Sequence, residues 1–448
     1  MTESNELLDL AVKVAGWANK GEQVEAYVSR GNSTTVRVYN AEIESFSSAQ
    51  EEGVGIRVIV DGRQGFAYAG SLDTEVLEDT INEARDNAGF AEYDEFVALA
   101  EPDGVAFAEI DLFRPSLLNV PTDKKIETAF ELEKRLLAAD PRITTVPMAL
   151  YADEWAEVAL ASTTGITTWQ QANDCALSTY CLAVEDGDTQ TGFGFSVGRE
   201  FDELDMDKAV ADAAARATQL LGAKKPKSRR LPVVLDPYVT SQFLGVMGFP
   251  LTGEAVLKGR SFFANRVGET VGSPAVTLVS DPTDTRSLTA NKMDGEGLAS
   301  RRVALIEQGV LTGFVHNSYT ARRSGTQSTG SAVRSMKTTP SVGCRSLTLQ
   351  EGNQSQDELM KQLGEGVLVR SVSGLHSGVN PVSGDFSTGA DGVMFRDGEL
   401  AEPIREFTIG STLQRMLTDV AAVGNDVEQL PSGLSMSVAI NDISISGA

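Results

Sequence analysis

The stretch at residues 382–392 reads Val382-Ser383-Gly384-Asp385-Phe386-Ser387-Thr388-Gly389-Ala390-Asp391-Gly392 and lies between apolar runs. We predict that it is a polar loop leading into a β-hairpin, with strands at 392–396 and 399–409 joined by an Asp397-Gly398 turn. Glycine is used where the backbone needs a positive φ or a close approach. The four glycines of the segment and its hairpin turn, Gly384, Gly389, Gly392 and Gly398, therefore point to a built site or interface, although a plain tight loop with a two-residue hairpin explains them as well.

The whole chain has the composition of a soluble globular protein. Of its 448 residues, 41% are hydrophobic and 23% are charged, and this length predicts two or three domains. No apolar run approaches the roughly 18 residues that a membrane span needs. Residues 1–6 lack the features of a signal peptide. We therefore expect no membrane association and a cytoplasmic location.

Charge and cysteine content argue against several classes of function. The formal net charge is -25, so nucleic-acid binding, which needs clustered Lys and Arg, is not expected. The one basic run, at 224–230, follows a helical pattern and precedes a strand, so we interpret it as an interdomain linker. The three cysteines (Cys175, Cys181 and Cys344) indicate a reducing compartment. Cys175 and Cys181 lack CxxC spacing, so we interpret them as core thiols rather than metal ligands.

The N-terminal half shows the same order of patterns twice. Helical periodicity at 5–18 precedes several short alternating strands, and a second helical pattern follows at 74–90. After a proline-punctuated connector, helix, strands and helix recur. Gly65-Phe66-Ala67-Tyr68 in the first copy corresponds to Gly192-Phe193-Gly194-Phe195 in the second, and each leads into a helix. We predict two related helix–sheet–helix modules, at 1–95 and 120–223, that arose by duplication.

The composition changes after the basic linker. Residues 231–448 are rich in glycine and short strand patterns, which predicts a mostly β C-terminal domain with short helices. Within it we expect helices at 261–268 and 411–423 and a closing strand at 434–445. The predicted fold class is therefore α+β, with duplicated modules followed by the mostly β domain.

The residues show no self-sufficient catalytic constellation. The only histidines are His316 and His376, and neither belongs to an HExxH metal motif. His376 lies just before the stretch at residues 382–392, where it is either a loop residue or a site residue. There is no GxSxG elbow and no phosphate-binding GxxxxGK motif. Asp281 and Asp284 could bind a hard cation, but an Asx-turn before proline is the simpler interpretation.

Several blocks of sequence nevertheless resemble the TldD/PmbA family. They cover the C-terminal half in the family's order, and the resemblance extends over essentially the whole chain. The blocks are Leu257-Lys258-Gly259-Arg260-Ser261-Phe262-Phe263, Gly268-Glu269, Thr277-Leu278-Val279-Ser280-Asp281-Pro282, Glu307-Gln308-Gly309-Val310-Leu311-Thr312-Gly313, Ser328-Thr329-Gly330-Ser331-Ala332-Val333-Arg334 and Val382-Ser383-Gly384-Asp385-Phe386-Ser387.

The resemblance implies which kind of subunit this chain is. In the family, TldD-type chains carry an HExxxH motif upstream of the Lys-Gly-x-Ser block and a C-terminal cysteine, which together hold the metal. Here the corresponding positions fall near Leu244, Gly245 and Phe249, and Cys344 precedes the Gly-Asp-Phe stretch. None of these three side chains can bind a metal or act as a general base. The chain is therefore similar to the PmbA/TldE type, with no catalytic residue, metal ligand or cofactor of its own.

The implied function is that of a non-catalytic subunit in an intracellular metallopeptidase complex that trims or degrades unfolded peptides. A TldD-like partner would supply zinc and the general base. This chain would supply part of a closed chamber. The older family label, modulator of DNA gyrase, fits poorly with the charge. The candidate chamber or interface residues are Arg260, Ser261, His376, Gly384, Asp385 and Phe386.

Two alternatives stay open on the sequence. One is a homodimeric peptide-binding or regulatory protein without protease activity, because chains of one fold can pair across a two-fold axis. The other is an enzyme of different chemistry that uses Asp385, Arg260 or His376. For Asp385 itself we expect a structural role, as a carboxylate that fixes its loop by accepting backbone N–H groups.

Overall fold

The computed structural model describes residues 6–448. The first five residues, which include most of the segment without signal-peptide features and the start of the helix expected at 5–18, lie outside the described residues. The described helices are α1 Glu6–Ala15, α2 Thr74–Phe90, α3 Pro115–Leu118, α4 Thr122–Ala139, α5 Met206–Gln219, α6 Pro237–Met247, α7 Gly253–Leu257, α8 Ser318–Ser324, α9 Gln356–Leu363, α10 Leu375–Gly378 and α11 Leu413–Thr418.

The strands fall into two large sheets and three small ones. The strands of the N-terminal half are β1 Gln23–Tyr39, β2 Glu42–Val60, β3 Arg63–Ala69, β4 Ile143–Ser162, β5 Thr167–Glu185 and β6 Asp188–Gly198. Those of the C-terminal half are β7 Arg229–Leu235, β8 Leu278–Ser280, β9 Val303–Glu307, β10 Val310–Leu311, β11 Ala332–Val333, β12 Ser341–Val342, β13 Leu347–Leu349, β14 Glu365–Ser373, β15 Asp385–Arg396, β16 Glu399–Thr412, β17 Val420–Val423, β18 Glu428–Leu430, β19 Gly433–Ser435 and β20 Val438–Ser446.

The N-terminal half forms one antiparallel sheet in the order β3-β2-β1-β4-β5-β6. Each half of this sheet has three strands between two helices, and the halves join where β1 pairs with β4. The several short strands predicted in each module are instead continuous strands of up to 20 residues. Polar segments such as Gly31-Asn32-Ser33 interrupt the alternation of apolar and polar residues that predicts a strand. They nevertheless belong to the strand, because the neighbouring strands pair with them.

Close contact between helix and edge strand explains the repeated Gly-Phe motifs. A Cβ atom at Gly65 in β3 would lie 1.8 Å from the carbonyl oxygen of Ala84 in α2. In β6, a Cβ atom at Gly192 would lie 2.1 Å from the carbonyl oxygen of Ala213 in α5. A helix can therefore rest directly on the edge strand in each half only because these positions lack a side chain.

In the C-terminal half, the strands β7, β14, β15, β16 and β20 close into a ring. β7 pairs in parallel with β14, and Thr408–Gly410 of β16 pairs with Ser444–Ser446 of β20 to complete it. The largest hydrophobic core of the described chain lies here and includes Phe243 of α6 and Phe386 of β15. The α+β fold class and the mostly β character of this half are confirmed.

Four local predictions in this half are wrong. Residues 385–391 belong to β15 rather than to a loop, because they pair with the sequence-distant strands β14 and β16. The helix expected at 411–423 is limited to α11, since Val420 then pairs with Ile440 as part of β17. Residues 261–268 form turns instead of a helix. The strand expected at 434–445 is also interrupted, and its two parts are β19 and β20.

Two buried ion clusters join the N-terminal sheet to the C-terminal half. In the first, Glu25 of β1 accepts hydrogen bonds from Arg57 of β2 and from Arg334, which follows β11. In the second, Arg216 of α5 donates to the carboxylate of Asp236, at the start of α6, over 2.9 Å. None of the helices in residues 6–448 combines the length and apolar character needed to cross a membrane.

Candidate functional site

The site is built around α6, the helix onto which the resemblance places the metal motif. Asp236 caps this helix, because its Oδ1 accepts from the Val239 N–H at 2.8 Å, and Pro237 occupies the first turn, where no N–H partner is required. The helix ends at Met247, and a 3-10 turn, Phe249–Leu251, leads into α7. Capping and core packing thus fix α6 firmly between the ring of strands and the following loop.

The three expected ligand positions cannot hold a metal ion. Leu244 is buried in the core, Gly245 has no side chain, and Phe249 presents an aromatic ring that is 39% exposed. Cys344 lies close by, but burial raises the pKa of its thiol to about 12, and the thiol donates to the Gly248 carbonyl at 3.5 Å. It is therefore a protonated donor rather than a thiolate ligand. Across residues 6–448, no three His, Cys, Asp or Glu side chains are grouped for metal binding.

Ser261 ties the loop after α7 back to the end of α6. Its hydroxyl donates to the Pro250 carbonyl at 2.6 Å and accepts from the Phe263 N–H at 3.1 Å. Phe263 is fully buried beneath it. Arg260 is exposed, and within residues 6–448 only its backbone N–H forms a hydrogen bond, with the Ala255 carbonyl at 2.7 Å. Ser261 thus shapes the loop, while Arg260 is available to a ligand or a partner.

The Gly384-Asp385-Phe386 sequence at the start of β15 also contacts α6. Phe386 is buried and meets the ring of Phe243 edge-on, with centroids 6.3 Å apart. Gly384 has a φ of 85°, and its N–H donates to the Asn380 carbonyl at 2.8 Å. Its own carbonyl accepts from the Leu413 N–H at 2.7 Å. The Gly-Asp-Phe sequence therefore joins the start of β15 to both α6 and α11.

The loop before β15 is fixed by Asn380, not by Asp385 as we expected. Asn380 Oδ1 accepts the N–H groups of Val382 and Ser383, at 2.9 and 3.3 Å. The Asp385 carboxylate is exposed and accepts only the Ser383 hydroxyl, at 2.7 Å, within the described chain. The sequence signal for this was Asn380-Pro381, because asparagine before proline favours turn initiation.

The six candidate residues do not form one cluster. Ser261 and Phe386 both contact the α6 region, from opposite sides. His376 is exposed on α10, and its ring has no hydrogen bond or ion pair in the part of the chain that the structure describes. No hydrogen bond or ion pair links Arg260, His376 and Asp385 to one another among residues 6–448.

Comparison with known proteins identifies the family. Family models match in three parts: PmbA/TldA metallopeptidase domain 1 at residues 24–88, the central domain at 115–221 and the C-terminal domain at 228–447. The chain belongs to the PmbA/TldD family. It is 26% identical to the metalloprotease PmbA of Escherichia coli O157:H7, over 99% of this chain and 96% of that protein. It is 25% identical to a metalloprotease TldD homolog of Haemophilus influenzae, over 89% of this chain and 87% of that protein.

Solved structures of the PmbA/TldD type share the fold. A Thermotoga maritima protein described as a modulator of a DNA gyrase superposes with a TM-score of 0.89 at 25% identity, covering 97% of this chain and 98% of that one. TldE from Thermococcus kodakarensis gives a TM-score of 0.88 at 24% identity, covering 95% of this chain and 97% of that one. The family resemblance inferred from the sequence blocks is therefore confirmed.

This PmbA/TldD chain also holds a buried acidic pair that the sequence reasoning missed. Asp294 and Glu296 are almost fully buried. Asp294 accepts the N–H groups of Glu296, Leu298 and Ala332 at 2.8 to 3.0 Å. Glu296 accepts the Ser318 N–H, at the start of α8, at 2.8 Å. The sequence signal for the pair was the run Asp294-Gly295-Glu296-Gly297, in which two acidic residues alternate with glycines. The pair holds three loops together.

The acidic pair is expected to make stability fall as the pH rises. Burial, followed by the charge of Glu296, raises the pKa of Asp294 from 3.8 to about 7. The folded state therefore holds a proton that the unfolded chain releases above about pH 4. The contribution of this bound proton to the free energy of unfolding is complete below that pH and is lost as the pH rises to about 7. We expect the free energy of unfolding of the wild type to fall by an amount on the order of 2 kcal/mol between about pH 5 and 8. The Asp294→Asn variant, whose side chain stays neutral, should lack this fall.

Urea unfolding across this pH range measures the effect as the difference between wild type and variant. The matched control is Glu399→Gln, an exposed carboxylate at the start of β16, which should leave the pH dependence unchanged. Parallel stability curves for wild type and Asp294→Asn would contradict the assignment.

Gly384→Ala tests the junction between β15 and α11. An added Cβ atom would lie 2.1 Å from Gln414 Oε1, and the backbone φ of 85° disfavours a side chain. Displacing Gln414 also breaks the bond that its Nε2 donates to the Ser383 carbonyl at 2.9 Å. We expect a loss of roughly 2–3 kcal/mol in the free energy of unfolding, from the positive φ and the lost hydrogen bond together.

Gly325→Ala is the matched control for this variant. Gly325 has a φ of 64° and open space where its Cβ atom would lie, so it should lose only the backbone part, about 1 kcal/mol. Both values come from urea unfolding at one pH. Equal losses for the two variants would show that the contact with Gln414 contributes nothing.

Proposed function

We propose that this chain is the non-catalytic subunit of an intracellular metallopeptidase complex of the TldD/TldE type, which trims or degrades unfolded peptides. The proposal rests on the residue types at the positions in and just after α6 where the family's metal motif would lie. Leu244, Gly245 and Phe249 stand where the family motif needs two histidines and a glutamate, and Leu244 packs into the core. A chain without ligands and without a general base needs another subunit for hydrolysis.

The proposed contribution of this chain is a wall of the peptide chamber. Arg260, His376 and Asp385 are exposed and would meet a peptide or the facing subunit. Ser261, Gly384 and Phe386 hold the segments that carry them. The partner would be a TldD-like chain, whose bound zinc would supply the hydrolytic chemistry. Direct contact with DNA forms no part of the proposal, because a net charge of -25 repels phosphates.

The test compares this chain alone, a TldD-like chain alone, and their mixture. Each sample is assayed for cleavage of fluorescently labelled unfolded casein, and bound zinc is counted by mass spectrometry. We expect no zinc and no cleavage from this chain alone, and more cleavage from the mixture than from the TldD-like chain. As a control, changing the motif glutamate of the TldD-like chain to glutamine should abolish all cleavage in the mixture.

Two outcomes would reject the proposal. Zinc-dependent cleavage by this chain alone would show that it has its own site. If light scattering found that the chain persists as a homodimer beside the TldD-like protein, and the mixture cleaved no faster, the alternative of a homodimeric peptide-binding or regulatory protein would replace it.

A further inference from the structure

A groove lies between the end of β6 in the N-terminal sheet and the loops of the C-terminal half. Its larger part has a volume of about 500 Å³. A smaller part of about 260 Å³ adjoins it, because Arg286, Val427 and Leu434 line both parts. We call the two parts together the arginine groove, after Arg114, Arg199 and Arg286, which line the larger part.

Arg199 is a buried cation whose hydrogen-bond partners are all neutral. Its side chain belongs to a residue that is 6% exposed. Nη1 donates to the carbonyls of Leu112 and Asn173, and Nη2 donates to those of Ser287 and Leu288, at 3.0 to 3.4 Å. The Nε–H has no acceptor within residues 6–448. A buried charge is costly unless an opposite charge lies beside it.

The acidic residues around Arg199 balance its charge only in part. Burial lowers the pKa of Arg199, and the charge of Asp174 acts against this. Burial, followed by the charge of Glu154, raises the pKa of Asp174 itself to about 6, so its negative charge is weakly held. Glu203 is engaged elsewhere, because its carboxylate accepts the backbone N–H groups of Arg199 and Glu200 at 2.7 and 3.3 Å. A negative group in the groove would complete the balance.

The larger part of the groove has the opposite charge balance to the chain as a whole. Its lining contains the three arginines but only two acidic residues, Asp111 and Glu203, whereas the chain has a formal net charge of -25. Arg114 pairs with Asp111 at 2.8 Å, and Arg286 pairs with Asp284 at 2.7 Å. The lining therefore attracts an anion, but its acidic residues oppose a second negative charge on that anion. This favours a carboxylate over a phosphate.

The rest of the lining suits the apolar body of a ligand. Val197 and Leu434 are buried in the wall of the larger part, and Leu349 is buried in that of the smaller part. Gln429 is exposed, and its side-chain amide makes no hydrogen bond in the part of the chain that the structure describes. Mostly apolar walls with a few polar groups are typical of ligand sites, whose volumes are also of this size.

From these features we infer that the arginine groove binds a carboxylate carried on an apolar chain, either the C-terminal end of a peptide or a free aliphatic acid. The carboxylate supplies the negative charge that Arg199 lacks, and the Gln429 amide donates a hydrogen bond to it. The apolar chain continues past Val427 and Leu434 into the smaller part of the groove. The inference goes beyond the proposed function, because it needs neither the TldD-like partner nor hydrolysis.

Labelled peptides test the inference on the full chain without a partner subunit. A short peptide of leucine and alanine carries a neutral fluorophore at its N-terminus and is made with either a free or an amidated C-terminus. Fluorescence anisotropy should show that the peptide with the free carboxylate binds at least about tenfold tighter, because only this peptide brings a negative charge to Arg199. Equal binding of the two peptides, or binding of neither, overturns the inference.

Competition experiments distinguish the two sources of the carboxylate. Hexanoate and inorganic phosphate are each added to the complex with the labelled peptide. If hexanoate displaces the peptide as well as an unlabelled copy of the peptide does, the ligand is a free aliphatic acid. If hexanoate is much weaker, the ligand is a peptide end, and the inferred carboxylate site stands in both cases. Phosphate should not compete, and displacement by phosphate as strong as that by hexanoate would reject a carboxylate site.

Gln429→Glu shows whether the peptide binds in the groove. The side chain is exposed, so the fold should be kept, whereas the added negative charge should weaken the carboxylate peptide at least about tenfold. The matched control is Gln50→Glu on β2, near the opposite edge of the N-terminal sheet, which should leave binding unchanged. Asp111→Asn removes an acidic side chain from the lining and should tighten binding. Wild-type affinity in Gln429→Glu contradicts the inference.

Arg199→Met tests the buried charge itself and should abolish binding. Urea unfolding shows whether this variant is folded, because the change also removes the hydrogen bonds to four carbonyls. A folded Arg199→Met that binds the peptide as tightly as wild type overturns the inference, and if the variant does not fold, Gln429→Glu decides. None of these measurements contains the TldD-like protein, so the proposed function is tested separately by the cleavage assay.

Discussion

Replacing Glu25 with glutamine is expected to destabilise the protein by about 3–5 kcal/mol, the usual cost of removing one partner from a buried ion pair. The Glu25 carboxylate is 1% exposed and accepts from Arg57 at 2.9 Å and from Arg334. Burial raises its pKa, but the charges of Arg57 and Arg334 outweigh burial and hold the pKa below its usual value. Without the carboxylate, two guanidinium groups stay buried with no opposite charge beside them.

Urea unfolding of wild type and Glu25→Gln measures the loss. Lys337→Met is the control, because it removes an ion pair with Glu51 in which both side chains are more than half exposed, and such pairs contribute at most about 1 kcal/mol. Arg334→Met added to Glu25→Gln should recover part of the stability, since only Arg57 then lacks its counter-charge. A loss as small as that of the control would show that the cluster is not electrostatically coupled.

Local sequence signals predicted the parts of the fold that depend on neighbouring residues. The Asp397-Gly398 turn forms as expected, because aspartate tolerates its φ of 53° and glycine its φ of 82°. The helix at 74–90 also matches, since its period alone defines a buried face on the sheet. Turn chemistry and helical periodicity are contained within a few residues, so they can be read without knowing the rest of the fold.

The parts that could not be predicted depend on partners far along the chain. Closure of the C-terminal ring requires Thr408–Gly410 to meet Ser444–Ser446, and nothing near either segment indicates the other. The same holds for Asp385, which begins a strand because Thr412 pairs with it. Five of the six candidate residues lie in the blocks that carry the family resemblance, and only the structure shows that the six do not form one cluster. The sequence predicts no metal ligand in this chain, because Leu244, Gly245 and Phe249, at the positions that the resemblance indicates, carry no donor atoms.

Replacing Arg216 is expected to lower the free energy of unfolding nearly as much as replacing Glu25. The change also disturbs α6 directly. Arg216 donates to the fully buried carboxylate of Asp236 at 2.9 Å, while Arg370 is 3.8 Å away. The guanidinium also stacks on the ring of Phe193, 4.5 Å from its centroid. Because Asp236 is the cap of α6, a buried carboxylate left with only the longer pair to Arg370 disturbs the start of the helix that organises the site. We expect Arg216→Met to lose about 3 kcal/mol in unfolding free energy.

A second variant distinguishes the buried charge from lost packing. Asp236→Asn keeps an oxygen to cap Val239 but removes the charge, so the double variant Arg216→Met/Asp236→Asn should regain about 2 kcal/mol. Trypsin offers a readout that a general loss of stability would not give. The basic run 224–230 follows α5 and extends into the start of β7. It should be cut faster in Arg216→Met than in Glu25→Gln at matched stability, because only the first variant releases α5 from the C-terminal half. If both variants are cut at the same rate, the Arg216–Asp236 pair does not position α6.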